Sequence, residues 1–187
     1  MLVAVAVIAT LVALAFALGH KGTGPKPPNG THLSAGEANF AELLATSASA
    51  HDLVVAAVIG SCESDAPAAA SRQSLIAGLN RAIELRVSVL NGTAMDRLAI
   101  SAMPEGPLLL TELDQATDAS LKVDEDYAAW LVDLQATGCF SAPTNDLHYL
   151  AATDASPAAT QADENLAGTW APLAARAHLR VWAADQL

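Results

Sequence analysis

The sequence predicts an all-α protein: an up-down-up-down four-helix bundle preceded by a hydrophobic helix and a flexible tether. Alanine dominates the composition and aromatic residues make up only 4%, so residues that favour strands are scarce. Apolar residues recur at helical spacing in four segments, and Gly or Pro residues separate those segments. We divide the chain into a hydrophobic segment at 1–19, a tether at 20–33 and a helical domain at 34–187.

The hydrophobic segment is an apolar run at 2–18 that contains no ionisable side chain. Its length lies between that of a transmembrane helix and that of a signal-peptide core. We interpret it as a retained single-pass anchor with the domain on the extracytoplasmic side of the cell membrane. Ala15-Phe16-Ala17 has the A-x-A form of a signal-peptidase site, so secretion after cleavage near Ala17 is the alternative.

The basic residues near this run lie only on its C-terminal side. Lys21 and Lys26 follow the run and none precedes it, an order that would retain the domain in the cytoplasm. We therefore expect a basic segment encoded upstream of Met1. The Gly- and Pro-rich stretch at 19–30 lacks apolar periodicity and predicts an extended tether.

The first bundle helix is predicted from a capping box, Ser34-Ala-Gly-Glu37, in which two side chains satisfy main-chain amides reciprocally. Gly60 is predicted to end it. Its stripe at helical spacing consists of Phe40, Leu43, Leu44, Ser47, His51, Val54, Val55 and Val58.

The second helix is predicted at 68–91, after an Asp65 cap and Pro67 in the first turn. Asn91-Gly92 is expected to stop or kink it, with 93–102 forming a further short helix. The third helix follows the breaker at 104–107 and ends at Gly138. Its heptad face consists of Leu110, Leu113, Thr117, Ser120, Asp124, Tyr127, Leu131 and Leu134.

The fourth helix is predicted to begin at Ser156-Pro157, after an ordered loop at 139–155. Leu166, Trp170 and Leu173 form its apolar stripe. Pro172 interrupts this stripe and predicts a kink.

The two cysteines follow the first and third helices, which run parallel in this topology. Cys62 and Cys139 therefore arrive at the same end of the bundle, and we predict a disulfide between them. Closing so long a loop contributes roughly 4 kcal/mol in the chain-entropy model. Without further ligands at metal-binding spacing or a C-x-x-C pair, metal and redox roles are disfavoured.

Polar residues also fall on the apolar seams. Arg86 and Asp124 lie at the same level if the second and third helices are antiparallel, and we predict that they form a buried ion pair. The same reasoning places Trp170 at that level and Tyr127 one turn away. The interpretation we favour is a polar layer that fixes helix register. The alternative is a site for an anion or polar ligand lined by Arg86, Asp124, Tyr127 and Trp170.

Composition and motifs exclude several function classes. The net charge of −11 repels phosphate backbones and anionic lipids, so we expect no nucleic-acid partner. The sequence lacks a phosphate-binding glycine loop, a nucleophile elbow and the Glu-x-x-His pairs of di-iron bundles. We predict no cofactor, no metal and no catalytic residues.

The second half of the chain contains four short signatures: Asp124-x-x-Tyr127-x-x-Trp130, Cys139, Ala159-Thr160 and Trp170-Ala-Pro172. With these signatures the chain resembles exported helical proteins of unknown function from high-GC Gram-positive bacteria. The resemblance implies an envelope location and no known activity. The function we expect is a membrane-tethered module that binds an envelope protein. The alternative is a small-ligand-binding or transport-accessory domain that uses the polar layer.

Overall fold

The computed structural model describes residues 33–61, 69–137 and 145–187, all of them within one compact unit, His32–Leu187. These ranges contain four α-helices and no strand, which confirms the all-α prediction. The helices are α1 (Ala35–Gly60), α2 (Ala69–Ser101), α3 (Gly106–Thr137) and α4 (Leu147–Ala177). Segment 1–32 and the predicted disulfide between Cys62 and Cys139 lie outside the described residues.

Consecutive helices run antiparallel, as contacts between their opposite ends show. Asn39 Nδ2 at the start of α1 donates to Asp96 Oδ1 near the end of α2 at 2.9 Å. Thr169 Oγ1 near the end of α4 donates to Glu112 Oε1 near the start of α3 at 3.1 Å. The arrangement is that of a four-helix bundle.

The start of α1 has the predicted capping box. The Glu37 amide donates to Ser34 Oγ at 3.2 Å, and the Ser34 amide donates to Glu37 Oε2 at 2.8 Å. The helix ends at Gly60, as predicted. Near the N-terminus of the described chain, α1 is also long and apolar enough to cross a membrane. Phe40 and Leu44 on its inner face are fully buried, because they form part of the bundle core.

The prediction of a stop at Asn91-Gly92 is wrong, because α2 continues without interruption to Ser101. Gly92 is buried, and a Cβ atom there would lie 2.4 Å from Leu43 Cδ2 of α1. Thr93 Oγ1 donates to the main-chain oxygen of Leu90 at 2.7 Å, inside the helix. The glycine therefore permits a close helix contact and does not end the helix.

The predicted start of the fourth helix is also wrong. Asp146 Oδ1 accepts from the His148 and Tyr149 amides at 2.9 and 3.1 Å, so α4 begins ten residues before Pro157. Pro157 and Pro172 both lie inside α4 on its exposed face, where water can reach main-chain oxygens left without a donor. The kink at Pro172 stays a prediction.

Residues 178–187, here called the C-terminal segment, pack across α1 and α4. His178 adopts a left-handed conformation with φ 56° and caps α4, so the chain turns back over the bundle. Trp170 Nε1 donates to the main-chain oxygen of Arg180 at 3.1 Å. Trp182 and Leu187 join the core cluster that includes Phe40. The segment thus completes the packing between α1 and α4.

The close approach of α1 to α2 generates a stability prediction. A Cβ at Gly36 would lie 2.4 Å from the main-chain oxygen of Ala99, so we expect Gly36→Ala to lower the unfolding free energy by about 1–3 kcal/mol. At Gly168, on the exposed face of α4, a Cβ meets nothing within 4 Å. Gly168→Ala should therefore raise the unfolding free energy by about 0.5–1 kcal/mol. Urea denaturation measures both, and a Gly36→Ala protein as stable as the parent would contradict this packing.

Candidate functional site

Each helix contributes one buried polar residue to a single region of the bundle, here called the polar layer. Its members are Ser47 of α1, Arg86 of α2, Asp124 of α3 and Asp163 of α4. Phe40 contacts Trp170, with ring centroids 5.1 Å apart, and this contact fixes the register of α1 against α4. Ser47 comes seven residues after Phe40, and Asp163 comes seven residues before Trp170. Because the two helices run antiparallel, both members lie at the same level.

Arg86 lies at the centre of the polar layer, and its contact with Asp124 confirms the predicted ion pair. Its Nε donates to Asp124 Oδ2 at 3.3 Å, and both side chains are only 3% exposed. Its Nη1 donates to Ser47 Oγ and, at 2.6 Å, to the main-chain oxygen of Leu187. Ser47 Oγ in turn donates to that same oxygen at 3.0 Å. One guanidinium therefore joins α1, α2, α3 and the C-terminal segment.

Asp163 is the member that sequence reasoning missed. Its side chain is 7% exposed, and no described donor reaches Oδ1. Burial raises the pKa of Asp163 from 3.8 to about 7, against the opposing effect of the Arg86 charge. The signal was available in the sequence, since Asp163 precedes Leu166 and Trp170 by three and seven residues on the apolar stripe of α4.

Asp124, like Asp163, interacts with the Arg86 guanidinium. Burial raises the pKa of Asp124 from 3.8 to about 6, with the Arg86 charge and hydrogen bond acting in the opposite direction. Its neighbour Glu125 is exposed and Asp126 is half-buried, as expected for a solvated helix face with one inward acid. Asp126 Oδ1 lies 3.7 Å from His148 Nδ1 of α4.

Tyr127 and Trp170 lie on opposite sides of the polar layer. Tyr127 packs among aromatic rings, with centroid distances of 6.1 Å to Trp130 and 6.3 Å to Tyr149. Trp170 lies seven residues from Asp163 along α4, a rise of about 10 Å, so the prediction that it lies at the level of Arg86 and Asp124 is wrong. The structure thus brings Arg86 and Asp124 together but does not gather the predicted four-residue set around one opening.

His51 lies one turn after Ser47 on α1 and is half-buried. Burial lowers the pKa of His51 below its ordinary 6.5, and the Arg86 charge acts in the same direction. The imidazole is therefore neutral at pH 7. Among the described residues, no group of three or more His, Cys, Asp or Glu side chains could hold a metal ion.

A cavity of about 460 Å³ that is open to solvent lies between α1 and the C-terminal segment. From here it is called the α1 cavity. Its α1 lining consists of Ala41, Ala45, Ala48, Ser49 and Asp52. The C-terminal segment contributes Leu179, Arg180, Trp182 and Gln186. Sequence reasoning gave no indication of this cavity, because it placed no structure on the residues after α4.

Comparisons with known proteins give no functional assignment. No protein-family model, curated protein sequence or solved structure matches this chain.

The ion pair at the centre of the polar layer generates a second prediction. Arg86→Met leaves Asp124 buried without its counter-charge, so the unfolding free energy should fall by about 3–5 kcal/mol. Arg81→Met removes the exposed pair with Glu84, whose side chains are 61% and 64% exposed, and should change the unfolding free energy by less than about 0.5 kcal/mol. Equal effects of the two substitutions in urea denaturation would refute the central role of Arg86.

The two buried acids generate a pH prediction. Their pKa values are raised in the folded state, so between about pH 4 and 7 the folded protein holds protons that the unfolded chain releases. Their contribution to stability is complete below pH 4 and is lost as the pH rises through 6 and 7. His51 acts with the opposite sign, because its lowered pKa makes the folded state release a proton first.

Asp163→Asn isolates one of these acids. The variant should be more stable than the parent at pH 8, by up to about 4 kcal/mol, and the difference should shrink towards pH 4. Asp154→Asn, at an exposed position of the same helix, should leave the pH profile unchanged. Thermal or urea unfolding across this pH range measures both, and parallel profiles for Asp163→Asn and the parent would contradict the assignment.

Proposed function

We propose that this chain is a non-enzymatic helical module, tethered on the extracytoplasmic side of the membrane, that acts by binding a protein of the cell envelope. The observation that carries this proposal is the closure of the polar layer. Arg86 donates to groups inside the domain and is 3% exposed, so it has no opening towards a substrate. The alternative ligand site lined by Arg86, Asp124, Tyr127 and Trp170 has correspondingly less support.

An exposed apolar surface supports protein binding. Met95 and Leu98 lie three residues apart on the outer face of α2, and their side chains are 80% and 89% exposed. Leu108 at the start of α3 is 47% exposed. Large apolar side chains in water favour burial against a partner. The net charge of −11 favours a partner that is basic.

The apolar run at 2–18 supports the tether. It is long enough for an anchor or a signal-peptide core, and the Gly- and Pro-rich stretch after it is a suitable spacer. The proposed location is the cell membrane with the domain outside, or the exterior after cleavage near Ala17. A nucleic-acid partner is not part of the proposal, because the negative charge opposes phosphate binding.

Photo-crosslinking in a Gram-positive host tests the proposal with the full chain. We expect a photo-reactive amino acid at position 98 to give a discrete crosslinked protein, because Leu98 lies on the proposed partner surface. The same probe at Asn80, an exposed position of the same helix, should give none. External protease added to protoplasts should digest the domain, while leaving a cytoplasmic marker intact.

Two outcomes would contradict the proposal. A domain that resists external protease until the membrane is lysed lies in the cytoplasm. Crosslinks of equal yield and pattern from positions 98 and 80 would show that the outer face of α2 has no specific partner.

A further inference from the structure

We propose that the α1 cavity binds a small zwitterion with an apolar body, of the class of free amino acids and short peptides. This proposal does not rest on the proposed function, because the α1 cavity and the exposed surface at Met95 and Leu98 are formed by different residues. Three features of the cavity carry it: the apolar part of its lining, two charges of opposite sign that form no ion pair, and a preformed wall.

The lining provides room and apolar contact. Three alanines of α1, at 41, 45 and 48, present only methyl groups, and Leu179 and Trp182 face them from the C-terminal segment. The volume of about 460 Å³ falls within the range of roughly 300–1,000 Å³ that is usual for small-ligand sites. A compact apolar group would therefore exchange water for methyl and ring contacts.

Two opposite charges line the cavity without neutralising each other. Asp52 and Arg180 form no ion pair with each other, and among the described residues neither forms an ion pair with another side chain. The guanidinium carbon of Arg180 lies 3.4 Å from the ring centroid of Trp182. This stacking holds the guanidinium by its face and leaves its N–H edges able to donate.

Charge complementarity identifies the ligand class. A carboxylate accepts two parallel hydrogen bonds from a guanidinium, whereas an ammonium group donates to a carboxylate. A ligand that carries both groups satisfies Arg180 and Asp52 together. A simple anion would leave Asp52 without a partner and would be repelled by its carboxylate. A simple cation would leave Arg180 without a partner and would be repelled by its guanidinium.

The wall that carries Arg180 is held in place before any ligand arrives. Trp170 Nε1 binds the main-chain oxygen of Arg180, and Arg86 binds that of Leu187. Gln186 Oε1 accepts from the Ala183 amide at 3.2 Å, so the Gln186 amide nitrogen remains available as a donor. A preformed site loses less entropy when it binds.

Three matched probes test the charge requirement: L-phenylalanine, 3-phenylpropanoate without the ammonium group, and phenethylamine without the carboxylate. In calorimetric titrations of the full chain in detergent, we expect L-phenylalanine to bind with a Kd on the order of 1 mM or below. Each analogue should bind at least about tenfold more weakly, because it loses one charge contact.

Two substitutions assign the contacts. Asp52→Asn should weaken L-phenylalanine binding about tenfold without weakening 3-phenylpropanoate binding. Arg180→Gln should weaken L-phenylalanine binding similarly without weakening phenethylamine binding, and Arg180→Lys should recover part of the affinity. Asp154→Asn, an exposed carboxylate on α4, is the matched control and should change nothing. Urea denaturation of each variant shows that the fold is intact.

The proposal is overturned if L-phenylalanine fails to bind at millimolar concentration, or if the three probes bind equally well. It is also overturned if folded Asp52→Asn and Arg180→Gln proteins bind L-phenylalanine as the parent does. None of these results affects the crosslinking test at position 98, so the two proposals fail separately.

Discussion

The buried guanidinium of Arg86 is the interaction on which the rest of the domain depends. It binds Ser47 of α1, Asp124 of α3 and the main-chain oxygen of Leu187, so a single side chain of α2 fixes the positions of three other parts of the chain. Burying a cation is costly, and the structure offsets that cost by giving it hydrogen-bonding partners. Asp163 adds a second acid, and burial raises its pKa, with the Arg86 charge opposing this shift and the Asp124 charge adding to it.

The bond from Arg86 to Leu187 extends this constraint to the surface. The C-terminal segment lacks helical regularity over most of its length, so its position depends on side-chain contacts. Leu187 is fully buried, and Trp170 binds the segment a second time at Arg180. Between these two points the segment forms one wall of the α1 cavity. The polar layer therefore determines the shape of a cavity that Arg86 itself does not line.

Much of the fold was predictable because its signals are local. Ser34 and Glu37 form their capping box within one turn, and counting levels on antiparallel helices was enough to pair Arg86 with Asp124. The errors arose where the outcome depends on a distant contact or on solvent. Gly92 looks like a stop until Leu43 of another helix packs against it. Pro157 looks like a helix start, but Asp146 caps α4 earlier and water can reach the main chain beside the exposed proline.

The site was harder to predict because burial changes what a polar residue can do. In the sequence, Arg86 and Asp124 are candidates for a ligand site because charged residues on an apolar stripe are unusual. Because both charged side chains are buried, they need hydrogen-bonding partners inside the protein. Those internal partners occupy the hydrogen-bonding atoms that a ligand would need. Asp52 and Arg180 are unremarkable in the sequence, yet they line one concave surface and remain unpaired among the described residues. In this bundle the buried charged residues fix the positions of the helices and the C-terminal segment, and the solvent-accessible charged residues are the ones able to recognise a ligand.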